Sequence, residues 1–533
     1  MSGAPRVTIA GGGLAGLSAA LRLAERGYKV KLYEQKPMLG GDLASRPAAD
    51  GVELDVYPHM YLSWYHNFWR LLDDVTGEDR DERFRSFTSV KQLRQGDFPK
   101  FTGVTDVSSA WSLFRDVFSG VGSPADMFVY MYASIDLLAE RLNPTMSLDD
   151  VSVNGFMNAR PYMTKKAAAA CDSFITEVWA IPSYLAAADD YLSFLEYTAA
   201  QPTPNFWLAR GPAGRQVIDP LTAALEAAGV EIVTSTEVKT VSCTGGRVTE
   251  IKLQDGRTED VDELILAVPP PALLSLLRSG KAGHRVVEAA PKLAEVSRLR
   301  SQPIPILNLY FTRRLRNIPA EPVGLFASPL SLAFTDISQT WKDVPDFANR
   351  TVIALSASDP YGLPGTHERD NAVAMLQELA KYLDFDPGTK WGESKDIDWH
   401  RTRYEANTDA QLFVNETGTD VWRPNAACDG VGNLSFAGDF CANRIGLTVI
   451  ESAVTTGLEA ARVIIERRGF GRPVEITEPD ASLAVGAFCV WLRYAWAPSV
   501  FAASAWSRGS DRLGWLRRLL TPDRPPARQR RES

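Results

Sequence analysis

The stretch Arg6-Val-Thr-Ile-Ala-Gly-Gly-Gly-Leu-Ala-Gly16 decides the fold. Its first half is mainly apolar and β-branched, which predicts a short buried strand. Gly11, Gly13 and Gly16 then have the spacing G-x-G-x-x-G, and Leu17–Gly27 has the apolar spacing of a helix that ends at a glycine. A strand, a glycine-rich turn and a helix in this order predict that the pyrophosphate of a dinucleotide binds at the helix N-terminus.

Each glycine of this motif has a separate physical task. Gly11 permits the tight turn, Gly13 lets a pyrophosphate approach the backbone, and Gly16 lets the helix pack closely on the strand. A second predicted strand covers Tyr28–Tyr33, and Glu34 follows it directly. A carboxylate at this position accepts hydrogen bonds from both ribose hydroxyls of an adenosine and repels a 2′-phosphate. These residues by themselves predict that the chain binds an adenine dinucleotide, but they do not identify which one.

The composition is that of an acidic globular protein. The 533 residues are 45% hydrophobic and 23% charged, with a net charge of −8, which permits two or more cores and argues against nucleic acid as a partner. The cysteines form no C-x-x-C pair and the histidines no H-x-x-x-H pair, so we expect neither a disulfide framework nor a metal site. The first strand begins about six residues from the start, which leaves no room for a signal peptide and predicts a cytoplasmic protein.

Strands and helices are predicted to alternate in three separate stretches of the chain, and longer segments of another character lie between these stretches. These stretches predict one α/β, Rossmann-type domain assembled from three segments, with an inserted α+β substrate domain. The segments of the dinucleotide domain are 1–77, 206–287 and 430–470. The inserted domain combines 78–205, which we expect to be mostly helical, with 288–429, which we expect to be rich in strands.

The last segment, 471–533, differs from the rest in charge and hydropathy. Leu483–Trp506 is nearly continuous apolar sequence with one charged residue, Arg493, and a helix break predicted at Pro498. In Arg512–Leu520, leucines and arginines are expected on opposite helix faces. The chain from the tryptophan at 491 onward carries a net charge of +6, which leaves −14 on the remainder. A basic, Trp-rich helical tail predicts a peripheral membrane anchor; a spanning helix, or packing against the body or a dimer partner, are the alternatives.

Together these pieces resemble the flavin-containing amine oxidase and carotenoid desaturase superfamily over most of the chain. Motifs shared across that superfamily are Gly11–Gly16, Glu34, Gly40-Gly41, Gly229–Val238, Leu264–Pro270, Phe436–Asp439, Glu451–Ala453 and Gly457. Other segments are similar to plant-type phytoene and ζ-carotene desaturases and to hydroxysqualene dehydroxylases. These segments are Asp55–His59, Trp64-Tyr65, Leu71-Leu72, Pro305–Phe311, Ala327–Ser331, Asp336 and Trp422–Pro424.

The resemblance implies FAD as the tightly bound cofactor, in a three-segment domain of the GR2 type. By that resemblance Asp439 would accept a hydrogen bond from the ribitol, a role compatible with capping the following helix, and Val238 would hold the adenine by its backbone. The residues implied to bind the cofactor are Gly11, Gly13, Leu14, Ala15, Gly16, Glu34, Gln35, Gly40, Gly41, Val238, Gly438, Asp439, Thr448 and Val449.

Two residues depart from the family's pattern. Arginine or lysine usually follows the paired glycines, where this chain has Asp42. The family's contact from this position to the phosphates or the flavin is therefore not carried over. Glycine usually occupies the position of Tyr57, so we expect the backbone beside the substrate cavity to differ here.

The resemblance also implies the reaction, in which a carbon-bound hydride reaches the flavin N5 while a neighbouring proton departs. Flavin amine oxidases usually have a lysine on the strand that is Pro303–Phe311 here, and this stretch has none, which favours a polyene over an amine substrate. Candidates to line a hydrocarbon tunnel, with core packing as the commoner role of such side chains, are the aromatic residues Tyr57, Tyr61, Trp64 and Tyr65.

Two residues are candidates for catalysis. His59 is a candidate proton-handling or flavin-facing group, and Arg423 is a candidate contact to the flavin or to the substrate entrance. For each of them a structural role in the core is the alternative.

Four functions remain open from the sequence. The first is a membrane-associated desaturase of a lipophilic isoprenoid hydrocarbon that passes electrons to quinone or oxygen. The second is a reductive enzyme of the hydroxysqualene dehydroxylase type, which would require NAD(P)H. The third is an amine oxidase and the fourth a flavoprotein without catalysis; the oligomeric state is left undetermined.

Overall fold

The computed structural model describes residues 4–48, 51–105, 122–179, 181–202, 204–342, 344–365 and 367–520. Within these ranges the strands are β1 (Arg6–Ala10), β2 (Lys29–Tyr33), β3 (Ser45–Pro47), β4 (Glu53–Asp55), β5 (Tyr61–Leu62), β6 (Phe84–Phe87), β7 (Ser89–Leu93), β8 (Thr102–Thr105), β9 (Phe206–Ala209), β10 (Glu231–Val233), β11 (Val238–Thr244), β12 (Arg247–Leu253), β13 (Thr258–Asp260), β14 (Glu263–Leu266), β15 (Ser301–Gln302), β16 (Ile306–Tyr310), β17 (Val323–Leu325), β18 (Leu332–Asp336), β19 (Val352–Ala357), β20 (Arg403–Glu405), β21 (Leu412–Phe413) and β22 (Leu434–Phe436). The α-helices of the same ranges are α1 (Leu14–Ala24), α2 (His66–Thr76), α3 (Arg80–Arg83), α4 (Pro124–Glu140), α5 (Val153–Asn158), α6 (Lys165–Trp179), α7 (Ala188–Ala199), α8 (Asp219–Ala227), α9 (Pro270–Leu277), α10 (Gly280–Ala289), α11 (Ile337–Thr340), α12 (Glu368–Leu379), α13 (Ile450–Arg468) and α14 (Leu483–Leu520).

A parallel sheet of five strands gathers distant parts of the chain into one layer. Its order is β10-β2-β1-β14-β22, and each neighbouring pair is parallel. At the centre, Val7 of β1 lies opposite Val30 on one side and Glu263 on the other. Parallel neighbours require crossover connections, and α1 supplies the one between β1 and β2. This is the Rossmann-type arrangement that the glycine motif predicts; the exact domain boundaries stay a prediction.

Two glycines allow helices to lie unusually close to this sheet and to each other. A Cβ atom on Gly16 would lie 2.0 Å from the carbonyl oxygen of Gly11, inside the turn that joins β1 to α1. A Cβ atom on Gly457 of α13 would lie 2.3 Å from the carbonyl oxygen of Ala15 in α1. A side chain would clash with the backbone at either position. Gly16 therefore lets α1 start close to β1, and Gly457 lets α13 pack directly on α1.

A mixed sheet of seven strands forms a second layer, in the order β20-β16-β19-β18-β17-β7-β8. Its strands β7 and β8 belong to the segment 78–205, which the sequence predicts as mostly helical, and β6 of the same segment pairs with β9. That expectation is wrong for the part before α4. Strand β7 is short, and its pairing with β17, far along the chain, decides its conformation because strand preference depends on tertiary partners.

The described helical layer begins at α4 and continues through α5, α6 and α7. Helix α14 packs along α4 and runs continuously through Pro498, where the sequence predicts a break. Leu492 and Val500, on either side of the proline, are both buried, whereas the proline itself is exposed. We attribute the continuous helix to this packing, which offsets the cost of about 3 kcal/mol for an interior proline.

Candidate active site

One cavity of about 400 Å³ extends from the carboxyl edge of the parallel sheet to the face of the seven-stranded sheet. Its two ends differ in chemistry. The first end is bordered by the glycine turn after β1 and by carboxylates, whereas β18 and β19 contribute Phe334 and Ala354 to the other end. The cavity can therefore hold a polar, phosphate-bearing group and an apolar molecule side by side.

The glycine turn supplies a cradle for an anion at the first end. Gly11 has a φ of +112°, and a Cβ there would lie 2.1 Å from the carbonyl oxygen of Ala267. A Cβ on Gly13 would meet nothing closer than Gly41 Cα at 3.9 Å, so this glycine borders open space. The first helical residue, Leu14, also lines the cavity. The unpaired amides and positive dipole end of α1 consequently face the cavity where phosphates would lie.

Glu34 is held in one orientation by two backbone amides. The amide of Gly12 donates to Oε2 at 2.7 Å, and the amide of Lys36 donates to Oε1 at 2.8 Å. Each carboxylate oxygen keeps a second lone pair, and the side chain borders the cavity near Val238. This geometry suits a ribose whose hydroxyls donate to Glu34, next to an adenine held along β11.

The paired glycines lie directly against the glycine turn. The amide of Gly40 donates to the carbonyl of Gly12 at 2.8 Å, and Gly40 and Gly41 have φ angles of +113° and +59°. These left-handed conformations explain why glycine occurs at both positions. They bring the following residue, Asp42, to the cavity wall.

Asp42 and Asp439 place two carboxylates at this end of the cavity. Burial, together with Asp439, raises the pKa of Asp42 to about 7, and burial raises the pKa of Asp439 to about 6. Asp439 follows β22 through Gly438, whose φ is +141°. The strand end and the glycine together position Asp439 where a hydroxyl of the ribitol could donate to it.

His59 lines the cavity as a neutral imidazole. Its Nδ1 lies 2.8 Å from the carbonyl oxygen of Tyr57, so Nδ1 carries the proton and donates it. Burial lowers the pKa of His59 to about 4. The remaining nitrogen, Nε2, is therefore a free acceptor at neutral pH.

The other end of the cavity is apolar and aromatic. Its wall includes Tyr61, Tyr65, Trp179, Ile181, Leu208, Phe334, Ile337 and Trp341. Tyr57 also borders the cavity, whereas Trp64 is fully buried and packs edge-on against Tyr65 in the core. Three of the four aromatic residues named as tunnel candidates thus border the cavity. The fourth, Trp64, packs in the core, which was the alternative role.

A family model described as flavin containing amine oxidoreductase matches residues 14–465 of the chain. The chain belongs to this family. Among curated relatives it is 23% identical to the 15-cis-phytoene desaturase of Synechococcus elongatus, over 89% of this chain and all of the relative. It is 26% identical to the carotenoid phi-ring synthase of Streptomyces griseus, over 90% of this chain and 91% of the relative.

Solved structures of oxidoreductases share the fold. An oxidoreductase from Methanosarcina mazei superposes with a TM-score of 0.60 at 16% identity, over 85% of this chain and 99% of the other. Putrescine oxidase bound to putrescine gives a TM-score of 0.60 at 17% identity, over 87% and 99%. Family and relatives establish an FAD-dependent oxidoreductase, and the phosphate cradle, Glu34 and Asp439 fit that cofactor.

The predicted cofactor residues of this flavoprotein fall into two groups. Those that border the cavity are Gly11, Gly13, Leu14, Ala15, Glu34, Gln35, Gly40, Gly41, Val238, Gly438, Asp439, Thr448 and Val449. Gly16 instead lies behind the turn, against backbone, in the packing role that the motif also predicts. The individual contacts of these residues with FAD stay predictions.

Arg423 is not among the residues that border the cavity. It is buried and donates to the carbonyl of Gly446 at 2.9 Å and to the side chain of Asn415. Asn415 in turn donates to Asp190 of α7 at 2.6 Å and accepts from Thr448 at 2.7 Å. These contacts indicate that Arg423 positions the loop before α13, and its charge also acts on Asp439 at the cavity wall. A direct contact of Arg423 with the flavin or the substrate stays a prediction.

Some residues of the cavity wall belong to no local motif and were not predicted from the sequence. Gln302 of β15 borders the cavity, and its side-chain amide has no hydrogen-bond partner within the described ranges. Asp409 also borders it and pairs with Lys36 and Arg46, each at 2.9 Å. Only the folding of the inserted domain onto the parallel sheet brings these residues to the cavity wall, so no spacing in the sequence could have identified them.

Proposed function

We propose that this flavoprotein desaturates a lipophilic isoprenoid or carotenoid-type hydrocarbon by hydride transfer to the flavin N5. The observation that carries the proposal is the wall that the seven-stranded sheet and the helical layer contribute to the cavity. This part of the wall has no charged side chain among the described residues. Its polar side chains are the hydroxyls of Thr335, Thr340 and Ser356. The carboxylate of Asp55, elsewhere on the cavity wall, already accepts from Ser45 and the amide of Ala213. A largely aromatic, uncharged wall favours a hydrocarbon, because a charged amine would need a carboxylate there. The named relatives act in carotenoid formation, which supports the same substrate class.

Bound FAD supplies the hydride acceptor in this reaction. The chain's own residues exclude water, orient the hydrocarbon and manage the proton. Aromatic faces such as those of Tyr61 and Tyr65 can stabilise a developing allylic cation. His59 donates through Nδ1 to the carbonyl of Tyr57, so its Nε2 is the atom that can accept the departing proton. The low pKa of His59 keeps that atom unprotonated at neutral pH.

We further propose that the outer face of α14 lies in the membrane–water interface. The exposed large side chains on this helix are Leu483, Phe488, Trp491, Tyr494, Phe501 and Trp506, with exposed fractions from 48% to 77%. The 28-residue segment Leu483–Ser510 is long and apolar enough to cross a membrane, but its Arg493 is buried in ion pairs with the body. A helix that is fixed to the body on one face and apolar on the other suits peripheral binding.

This arrangement would hold the protein at the membrane surface, where a lipophilic substrate dissolves. A membrane quinone or oxygen would be the final electron acceptor. The amphipathic face predicted for Arg512–Leu520 concerns side chains outside the described residues. The membrane proposal is therefore supported only by the exposed apolar side chains between Leu483 and Trp506.

A reductive enzyme of the hydroxysqualene dehydroxylase type is the alternative, because it would use the same cavity with electrons supplied from NAD(P)H. The uncharged wall makes an amine oxidase the less favoured function.

The deciding experiment is anaerobic incubation of the FAD-loaded protein with phytoene in liposomes, followed by the flavin absorption spectrum. Bleaching by phytoene supports the desaturase. Bleaching by NAD(P)H but not by phytoene supports the reductive enzyme, and bleaching by putrescine supports the oxidase.

A further inference from the structure

Asp42 has a negative charge that no neighbouring cation balances directly. Its carboxylate borders the flavin end of the cavity and makes no ion pair or hydrogen bond within the described residues. Two cations act on it electrostatically, Lys36 and Arg46. Both of them pair with Asp409 instead, at 2.9 Å. The carboxylate of Asp42 is thus free to respond to a change of charge in the cavity.

Asp42 shares the cavity with other titratable groups. Asp55 also has a pKa raised by burial to about 7, but its carboxylate accepts from the Ser45 hydroxyl and the amide of Ala213, whereas Asp42 has no such partner among the described residues. Asp439, which follows β22, also borders the cavity, and its charge contributes to raising the pKa of Asp42 to about 7. Tyr57 and His59 face the same space and are neutral at that pH, because burial raises the pKa of the phenol and lowers the pKa of the imidazole. The pKa of Asp439 is about 6, so Asp439 is mostly ionised where Asp42 titrates.

We infer that Asp42 couples the redox state of the bound FAD to proton uptake. The substrate loses a hydride and a proton when a C=C bond forms, and the hydride adds two electrons and one negative charge to the flavin. A nearby carboxylate opposes that added charge and so holds the reduction potential down. Protonation of Asp42 from solvent removes this opposition, while the proton that the substrate loses goes to Nε2 of His59. The inference rests on FAD binding and holds whichever hydrocarbon is the substrate.

The test is the midpoint potential of the bound FAD, measured spectroscopically against reference dyes from pH 6 to pH 9. At pH 9, Asp42→Asn should shift the ratio of reduced to oxidised flavin about tenfold toward reduced, which is about +30 mV for a two-electron couple. Toward pH 6 the difference should shrink, because the wild-type carboxyl is then protonated. The wild type should accordingly show a steeper dependence of potential on pH near pH 7 than the variant.

The control is Glu237→Gln, at the adenine end of the same cavity, where the carboxylate lies 2.7 Å from Nζ of Lys239. It should leave the potential of the flavin ring close to that of the wild type. Asp42→Ser is a second neutral variant, to be used if Asp42→Asn does not retain FAD. Equal potentials for wild type and neutral variant at every pH overturn the inference. An equal shift in Glu237→Gln, or a wild type without steepening near pH 7, overturns it as well.

Discussion

The guanidinium of Arg493 on α14 lies 2.5 Å from the carboxylate of Asp136 on α4, and both side chains are buried. The same guanidinium lies 2.5 Å from the carboxylate of Glu140, one turn further along α4. The only charged residue between Leu483 and Trp506 is therefore neutralised inside the protein. The pairing joins the tail helix to the body and leaves its outer face apolar.

Breaking this buried pairing should destabilise the protein strongly. We expect Arg493→Met to lower the free energy of unfolding by about 2–4 kcal/mol, because Asp136 and Glu140 then keep only Arg160 as a buried cationic partner. The control is Arg444→Met, which removes an exposed pair with Glu478 and should cost less than about 1 kcal/mol. Urea unfolding of both variants measures the difference. Equal decreases in the free energy of unfolding in the two variants would show that the Arg493 ion pairs do not hold α14 against the body.

Membrane binding should depend on the exposed aromatic side chains of α14. Replacing Phe488, Trp491 and Trp506 together by serine should weaken binding to anionic liposomes at least about tenfold. Each aromatic ring that enters the bilayer on binding contributes more than about 1 kcal/mol. Point substitutions are preferable to deletion of the tail, because α14 also covers α4. Co-sedimentation measures binding, and Val421→Ser and Tyr361→Ser, at exposed sites elsewhere, serve as controls. Unchanged binding with intact FAD absorbance would rule out this face as the membrane contact.

The close approach of α13 to α1 should tolerate no side chain at Gly457. We expect Gly457→Ala to cost about 1–3 kcal/mol of stability through overpacking, and to weaken FAD binding because α1 begins at the phosphate cradle. Gly509→Ala is the control, since a Cβ there meets nothing within 4 Å and α14 is helical at this point. Thermal unfolding with and without added FAD measures both effects. A Gly457→Ala protein as stable as the control would contradict the packing argument.

His59 should affect the rate of flavin reduction without affecting FAD binding. If Nε2 accepts the departing proton, His59→Phe should slow anaerobic reduction by the polyene about 10²–10⁴-fold. The pKa of His59 lies at about 4, below its ordinary 6.5, so the neutral form predominates above pH 5. The wild-type rate should show no loss attributable to His59 between pH 8 and pH 5, and should fall only as the pH approaches 4. Stopped-flow absorbance measures the rate, and a full rate in His59→Phe would leave the residue without a catalytic role.

The sequence by itself determined the local unit that binds the dinucleotide. The strand, the G-x-G-x-x-G turn, α1 and Glu34 follow from spacing and backbone freedom, which act over a few residues. The same is true of the glycines at 40 and 41, whose left-handed conformations are local requirements. These interactions are short-range, so they can be read from neighbouring residues.

Only the tertiary structure decided which distant residues meet. It placed β7 in the second sheet, carried α14 through Pro498, and linked Arg423 to Asp190 through the side chain of Asn415. It also brought Asp42 and Asp439, nearly four hundred residues apart, to one cavity wall. Pairing of strands and burial of charges depend on partners that approach only in the folded chain, so neither periodicity nor motif spacing could specify them.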